Sequence, residues 1–218
     1  MIEIACELTV DRVRANLANI RERIDAAAAR AGRSGDGVRI LAAGKYLPAG
    51  DLGLLAEAGV ELVGENRAQD LVEKDALHGD RYRWHFIGQL QSRKVKLIAP
   101  RVELIHSVDS TTALRELERH APAGLEVLIE VNLAGEAAKA GVSPVELDAM
   151  IDRCPVPVVG LMTMPPRGGE HSRRCFAGLR DLAVARNLRE LSMGTTQDYE
   201  TAVEEGATIV RIGTSLYR

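Results

Sequence analysis

Val38-Arg-Ile-Leu-Ala-Ala-Gly-Lys45 is a short apolar run that ends in a lysine. Its hydrophobic residues adjoin one another instead of recurring at helical spacing, the pattern of a strand buried on both faces inside a parallel sheet. Tyr46, Leu47 and Pro48 then turn the chain. In parallel α/β folds the loops at the carboxyl ends of strands converge on one mouth, so Lys45 stands where chemistry is placed. An amine desolvated there can lose its proton and attack a carbonyl to form a Schiff base. A single lysine at a strand end is more commonly a surface or snorkelling residue, and the remaining strand ends have to decide between these readings.

Comparable runs follow at Glu61–Gly64, Tyr82–Ile87, Val102–Val108, Glu126–Val131, Val156–Met162, Glu190–Met193 and Thr208–Ile212, which makes eight with Val38–Gly44. Between them lie segments with helical spacing, such as Leu52, Leu55, Ala56 and Gly59, or Phe176, Leu179, Leu182 and Ala183. Alternation of this kind implies right-handed parallel units, and eight of them imply an α/β fold closed as a TIM-type (β/α)8 barrel. An open doubly wound sheet is the alternative, but the chain has neither a GxGxxG fingerprint nor a GxxxxGK[ST] loop. Ahead of the barrel, Val13, Leu17, Ile20 and Ile24 predict an extra N-terminal helix from Thr9 to about Arg30, followed by a glycine-rich loop. Ser110-Thr111 marks one later helix start, and Ser143-Pro144 with Glu146 marks another as a capping box. Pro165–Glu170 is the most irregular segment and a candidate lid. No linker divides the chain, so residues 1–218 read as one domain.

Composition excludes several functions. Aromatic residues make up only 3% of a chain that is 46% hydrophobic, so the core must rest on aliphatic side chains and base-stacking nucleic-acid modules lack their rings. The formal net charge of -3 predicts no polyanion partner. The densest basic patch, Arg93, Lys94 and Lys96, alternates with apolar residues and reads as the solvated face of a helix. Cys6, Cys154 and Cys175 lie far apart without zinc spacing, and read as reduced thiols of a cytoplasmic protein. No apolar stretch is long enough to span a bilayer, and the amino terminus lacks the pattern of a signal peptide.

The carboxyl ends of the expected strands are rich in glycine and polar residues: Gly44-Lys45, Gly64-Glu65-Asn66, Gly88-Gln89, Ser107-Val108-Asp109, Asn132, Thr163-Met164, Ser192-Met193-Gly194-Thr195 and Arg211-Ile212-Gly213-Thr214. In barrels the loops after the last two strands often form a phosphate site, using backbone N–H groups, glycines for close approach and small hydroxyls. Ser192, Gly194, Gly213 and Thr214 supply those parts. Either loop alone is a weak signal, since turns favour such residues. Joined to a lysine on the first strand they become specific, because a Schiff-base amine and a phosphate cup in one mouth suit pyridoxal 5′-phosphate, an aldehyde that carries a phosphate.

From about Val38 onward the chain resembles the pyridoxal phosphate homeostasis protein family, whose fold is similar to the barrel domain of bacterial alanine racemase. The resemblance is carried by Ala-Gly-Lys45, Gly64-Glu65-Asn66 with Gln69, Trp84-His85-Phe86-Ile87-Gly88 with Leu90-Gln91-Ser92, Ile105-His106-Ser107-Val108-Asp109, Val131-Asn132, Gly160-Leu161-Met162-Thr163, Leu191-Ser192-Met193-Gly194, Asp198 and Arg211-Ile212-Gly213-Thr214. It implies that Lys45 carries the cofactor as a Schiff base, that Ser192, Met193, Gly194, Gly213 and Thr214 form the phosphate cup, and that Arg211 approaches the pyridine nitrogen. Met164 falls where the racemases place a histidine against the ring, and is otherwise a core-filling residue. Asn66 either bonds the cofactor's edge or serves its turn. His85 either lines the barrel interior or is satisfied by neighbouring backbone, and Asp198 either touches ligand or caps the following helix. The chain departs from the family pattern at Gly44 and Tyr46, where Ser and Thr are usual, at Gln89 for proline, at Thr195-Thr196 for Met-Ser, and at Ala140 for Ser or Thr.

Two functions of different class follow. The resemblance implies a carrier of pyridoxal phosphate that helps control intracellular vitamin B6 and passes the cofactor to apo-enzymes. The other is a pyridoxal phosphate-dependent amino-acid racemase or related enzyme. Racemases of this fold take a second base, a tyrosine, from a separate β domain of the partner subunit. This chain stops four residues after Thr214, so the carrier reading, without a second catalytic base and as a monomer, is preferred. Tyr46, Tyr199 and Tyr217 are the tyrosines nearest the expected mouth that can substitute. A Schiff-base aldolase without cofactor would keep Lys45 and the cup but has no use for Arg211.

Overall fold

The computed structural model describes residues 8–135, 140–166 and 169–218. Eight strands pair in chain order: β1 (Arg39–Ala43), β2 (Leu62–Glu65), β3 (Arg83–Phe86), β4 (Leu104–Val108), β5 (Glu126–Glu130), β6 (Val158–Met162), β7 (Glu190–Thr195) and β8 (Ile209–Ile212). Every pairing is parallel, and β8 closes on β1 with Arg39 beside Ile209 and Leu41 beside Arg211. This is the expected TIM-type (β/α)8 barrel. Six strands lie within the runs read from sequence; β2 and β7 continue beyond theirs, to Glu65 and Thr195.

The helices are α1 (Val10–Arg30), α2 (Leu52–Glu57), α3 (Ala68–His78), α4 (Val95–Ile98), α5 (Thr111–His120), α6 (Leu147–Asp152), α7 (Gly169–Val184), α8 (Tyr199–Glu204) and α9 (Thr214–Tyr217). The extra helix α1 begins where the Thr9 hydroxyl accepts the Arg12 N–H at 3.3 Å. Its buried stripe, Val13, Ile20, Ile24 and Ala27, packs towards α8 and α9, and Arg30 reaches Glu204 of α8 at 2.7 Å. Ser110 caps α5 as expected, accepting the Ala113 N–H at 3.3 Å. The Ser143–Glu146 pair also forms, the hydroxyl donating to the carboxylate at 2.6 Å, but α6 starts only at Leu147. That pair therefore closes the turn leading into the helix instead of boxing its first turn.

Alternation along the strands sorts side chains into two cores. Leu41, Leu62, Leu104, Leu128, Val159, Met162 and Ile209 fill the barrel interior. Their neighbours in sequence, such as Val127 and Ile129, point outward and pack under the helices with most of the remaining aliphatic residues. Burial of each such side chain contributes about 1.5–3 kcal/mol. Trp84, Phe86 and Phe176 are buried in this outer layer. Among the described residues no helix is long and apolar enough to cross a membrane. Cys6 lies outside the described residues, as do Arg167 and Gly168 of the candidate lid.

Candidate ligand mouth

The carboxyl ends of the strands enclose a cavity of about 440 Å³, within the range that holds small ligands. Lys45, Tyr46, Asn66, Met164, Gly194, Thr195, Thr196, Asp198, Arg211, Gly213, Thr214 and Arg218 are among its lining residues. The side chains of Lys45, Arg211 and Arg218 outweigh that of Asp198, so the lining favours an anion.

Lys45 sits on a 3₁₀ turn, Gly44–Tyr46, immediately after β1, and its side chain is exposed in the mouth. Among the described residues its ammonium has no hydrogen-bond or ion-pair partner; it lies 4.9 Å from the centre of the Tyr46 ring. That ring packs against Gly213, where any Cβ would strike its Cε2. Tyr46, a departure from the family pattern, thus forms the wall between the lysine and the loop after β8. Of the other tyrosines, Tyr217 is buried and donates its hydroxyl to the Ala43 carbonyl at 3.0 Å. Tyr199 is buried in the outer layer with the Arg23 guanidinium 5.5 Å from its ring centre.

The loops after β7 and β8 meet beside Lys45. Gly213 N–H donates to the Thr196 hydroxyl at 3.1 Å, and Thr214 opens α9. Asp198 does not cap α8 with its side chain; its carboxylate instead folds back to accept Thr195 N–H at 2.7 Å and the Thr195 hydroxyl at 3.1 Å, bracing the turn. Gly194, Gly213 and Thr214 line the mouth as expected. Ser192 and Met193 are not brought to it. Met193 faces outward and is fully buried under the helices, which leaves it only backbone to offer. Ser192 faces inward one layer below the mouth, and its hydroxyl is taken by other side chains. Thr196 supplies a hydroxyl at the mouth instead, a position legible only as one of two adjacent threonines.

Arg211 occupies the floor of the mouth and is 5% exposed. Its Nη1 donates to the Ser192 hydroxyl at 3.0 Å and its Nη2 to the Thr163 carbonyl at 3.0 Å. Below it the Ser192 oxygen contacts His106 Nδ1 at 2.8 Å, and His106 Nε2 contacts His85 Nδ1 at 2.9 Å. Sequence reading placed His85 in the interior as one option, and His106 is the partner it missed. Burial, reinforced by Arg39 and Arg83, pushes His85 down to about 3. Burial and His85 hold His106 well below the imidazole range, so both rings are neutral. Burial also lowers Arg211, to about 10, against the pull of Glu130 and Asp198, and it stays charged at neutral pH. Glu130, inward-facing at the end of β5, is pushed up to about 7 by burial and by Asp109, with Arg211 opposing.

Among the described residues, two buried polar atoms of the lining have no partner, the Arg211 Nε donor and the Asn66 Oδ1 acceptor. Each costs roughly 1–3 kcal/mol unless something bonds it. Met164 is 54% exposed at the rim and so is no part of the core. Among the described residues no cluster of three or more His, Cys, Asp or Glu is arranged to hold a metal ion.

A closed barrel whose first strand delivers a lysine beside two Gly/Thr loops, over a buried guanidinium, defines a barrel of the alanine racemase type. Residues 10–218 match the family model described as alanine racemase, N-terminal domain. The pyridoxal phosphate homeostasis protein of Aquifex aeolicus is 41% identical over 219 residues, spanning 92% of this chain and 95% of that one. The pyridoxal phosphate homeostasis protein of Escherichia coli K12 is 36% identical over 221 residues, spanning 93% of this chain and 94% of that one. Among solved structures, PipY of Synechococcus elongatus with pyridoxal phosphate bound superposes with a TM-score of 0.79 at 30% identity, covering 94% of this chain and all of PipY. The chain belongs to the pyridoxal phosphate homeostasis protein family.

Proposed function

We propose that this chain is a single pyridoxal 5′-phosphate-binding barrel domain that carries the cofactor as a Schiff base on Lys45. In that role it helps control vitamin B6 in the cytoplasm and passes the cofactor to apo-enzymes. The observation that carries this reading is the pair of buried atoms, Arg211 Nε and Asn66 Oδ1, that lack a partner among the described residues, in the lining of a cationic mouth that also presents Lys45. A planar heterocycle bearing an acceptor nitrogen, a donor and a phosphate fits that set. In this assignment Thr196, Gly194, Gly213 and Thr214 hold the phosphate, Arg211 Nε donates to the pyridine nitrogen, and Met164 lies against the ring. Ser192 acts from below, holding Arg211. The cofactor, when bound, supplies an aldehyde and an electron-withdrawing ring. Lys45 would supply the amine that adds to that aldehyde, the aldehyde oxygen being lost as water, and hydrolysis would reverse the bond for release. A permanent cation at the ring nitrogen disfavours its protonation, which suits storage better than carbanion chemistry.

The racemase reading draws less support. Tyr217 and Tyr199 are committed to the outer core, and Tyr46 adjoins Lys45 on the same turn, on the lysine's own side of the mouth. Reduction of cofactor-saturated protein with borohydride, followed by peptide mass spectrometry, should find the cofactor's mass on Lys45. An unmodified Lys45 would overturn the assignment.

A further inference from the structure

The two peptide units just before Lys45 are held by buried side chains from distant parts of the chain. Tyr217 donates its hydroxyl to the Ala43 carbonyl at 3.0 Å. Lys74, on α3, donates to the Gly44 carbonyl at 2.9 Å, and the same oxygen accepts Leu47 N–H at 2.9 Å to close the turn that carries Lys45. Lys74 is 4% exposed and pairs at 2.5 Å with Glu65, which is fully buried at the end of β2. The second Glu65 oxygen accepts Asn66 N–H at 3.3 Å. Burial pushes the Glu65 carboxyl up and the Lys74 ammonium opposes that shift. A Cβ on Gly44 would collide with Glu65 Oε1, so glycine at this position, where the family pattern has serine, lets the carboxylate lie against the strand-to-turn junction.

None of Lys74, Glu65 and Tyr217 lines the mouth. A buried ion pair is a poor source of stability, since apolar residues of the same volume commonly do as well. What apolar residues cannot do is bond the Gly44 carbonyl. We infer that Lys74, held by Glu65, and Tyr217 are positioning residues that fix the Ala43–Gly44 backbone so that Lys45 projects into the mouth in one orientation. The inference rests on Lys45 being the Schiff-base amine. Orientation of a flexible side chain governs attack on a carbonyl, whereas retention of ring and phosphate belongs to groups on the other strands.

The test uses Tyr217→Phe and the double variant Lys74→Met/Glu65→Leu, which strands no buried charge. The rate of Schiff-base absorbance on mixing with pyridoxal 5′-phosphate is measured beside the Kd for pyridoxamine 5′-phosphate, which has the same ring and phosphate but no aldehyde. Each variant should slow Schiff-base formation roughly three- to tenfold, the range for one net hydrogen bond, with the pyridoxamine phosphate Kd unchanged. Equal losses for both ligands, or wild-type rates, would overturn the positioning role while borohydride still labels wild-type Lys45. An unlabelled wild-type Lys45 would instead overturn the Schiff-base reading and the positioning role with it. Should the double variant fail to fold, Tyr217→Phe, which removes one hydroxyl, decides.

Discussion

The two ends of the barrel carry similar polar groups and treat them in opposite ways. At the amino-terminal end, odd strands contribute Arg39, Arg83, Glu126 and Glu190, and each is paired. Arg39 meets Glu190 at 2.5 Å although β1 and β7 are not neighbours, so this pair crosses the interior. Thr208 adds a hydroxyl to Glu190 at 2.6 Å, and Arg189 meets Glu126 at 2.7 Å. At the carboxyl end Lys45 has no ionic partner among the described residues, and Arg211 Nε and Asn66 Oδ1 are buried without one. The lesson is that one rim is complete within the fold and the other is complete only with a ligand. Polar groups of the first kind stabilise the chain, and those of the second cost stability until something binds.

The largest expected effect is at the open rim. Arg211→Met should weaken pyridoxal 5′-phosphate by about 3 kcal/mol, measured as Kd, through loss of a charge-assisted donor at the floor. A drop in apo-protein stability as large as the drop in binding would break the contrast, because Arg211 would then be structural like Arg39.

Glu130 gives the next effect, through pH. Its carboxyl in the fold lies near 7 against an ordinary 4.5, so the native chain binds more protons than the unfolded chain between those values. Stability from neutral Glu130 is therefore fully present below about pH 4.5 and is lost as pH rises through about 7, a decline on the order of 3 kcal/mol. His85 and His106 act oppositely: unfolded imidazoles take up protons below about pH 6.5 that the buried rings refuse, so stability falls as pH falls. In Glu130→Gln, a melting-temperature profile should keep the acid-side fall and lose the decline towards neutrality. Persistence of that decline would assign it elsewhere.

The closed rim gives the smallest effects, and they grade with burial. Glu190→Ala strands Arg39 and Thr208 and should cost about 1–2 kcal/mol in urea unfolding with ligand affinity unchanged. Arg83→Ala breaks a pair in which both side chains are about half exposed, and should cost under about 0.5 kcal/mol. Loss of affinity in either variant would show that the ends are coupled.

The barrel was legible because parallel strands are written as contiguous apolar runs, and Lys45, Gly213 and Thr214 because strand ends are local features. Ser192 was read as part of the cup because the letters do not record depth. Its inward, fully buried position follows from where β7 stops, two residues beyond the expected end. The His85–His106 contact joins residues on neighbouring strands whose register no single run discloses. Lys74 did leave a signal: with Ala68 and Leu71 it continues the apolar stripe of α3, where a lysine has no reason to sit unless it is paired. Gly44 and Tyr46 were visible as departures, but what each one admits or covers depended on Glu65 and Gly213, far away in the chain.

Arg211 is held in place by three neutral oxygens, the hydroxyl and carbonyl of Ser192 and the carbonyl of Thr163, and the rings beneath Ser192 carry no charge either. Arg39, at the other end, faces a carboxylate at contact distance. The guanidinium at the mouth is thus immobilised without being neutralised by the groups that grip it, and its field extends outward through the opening. A dianion in solution experiences that attraction before it touches any residue, so the mouth selects by approach as well as by fit, and the selection weakens as ionic strength rises.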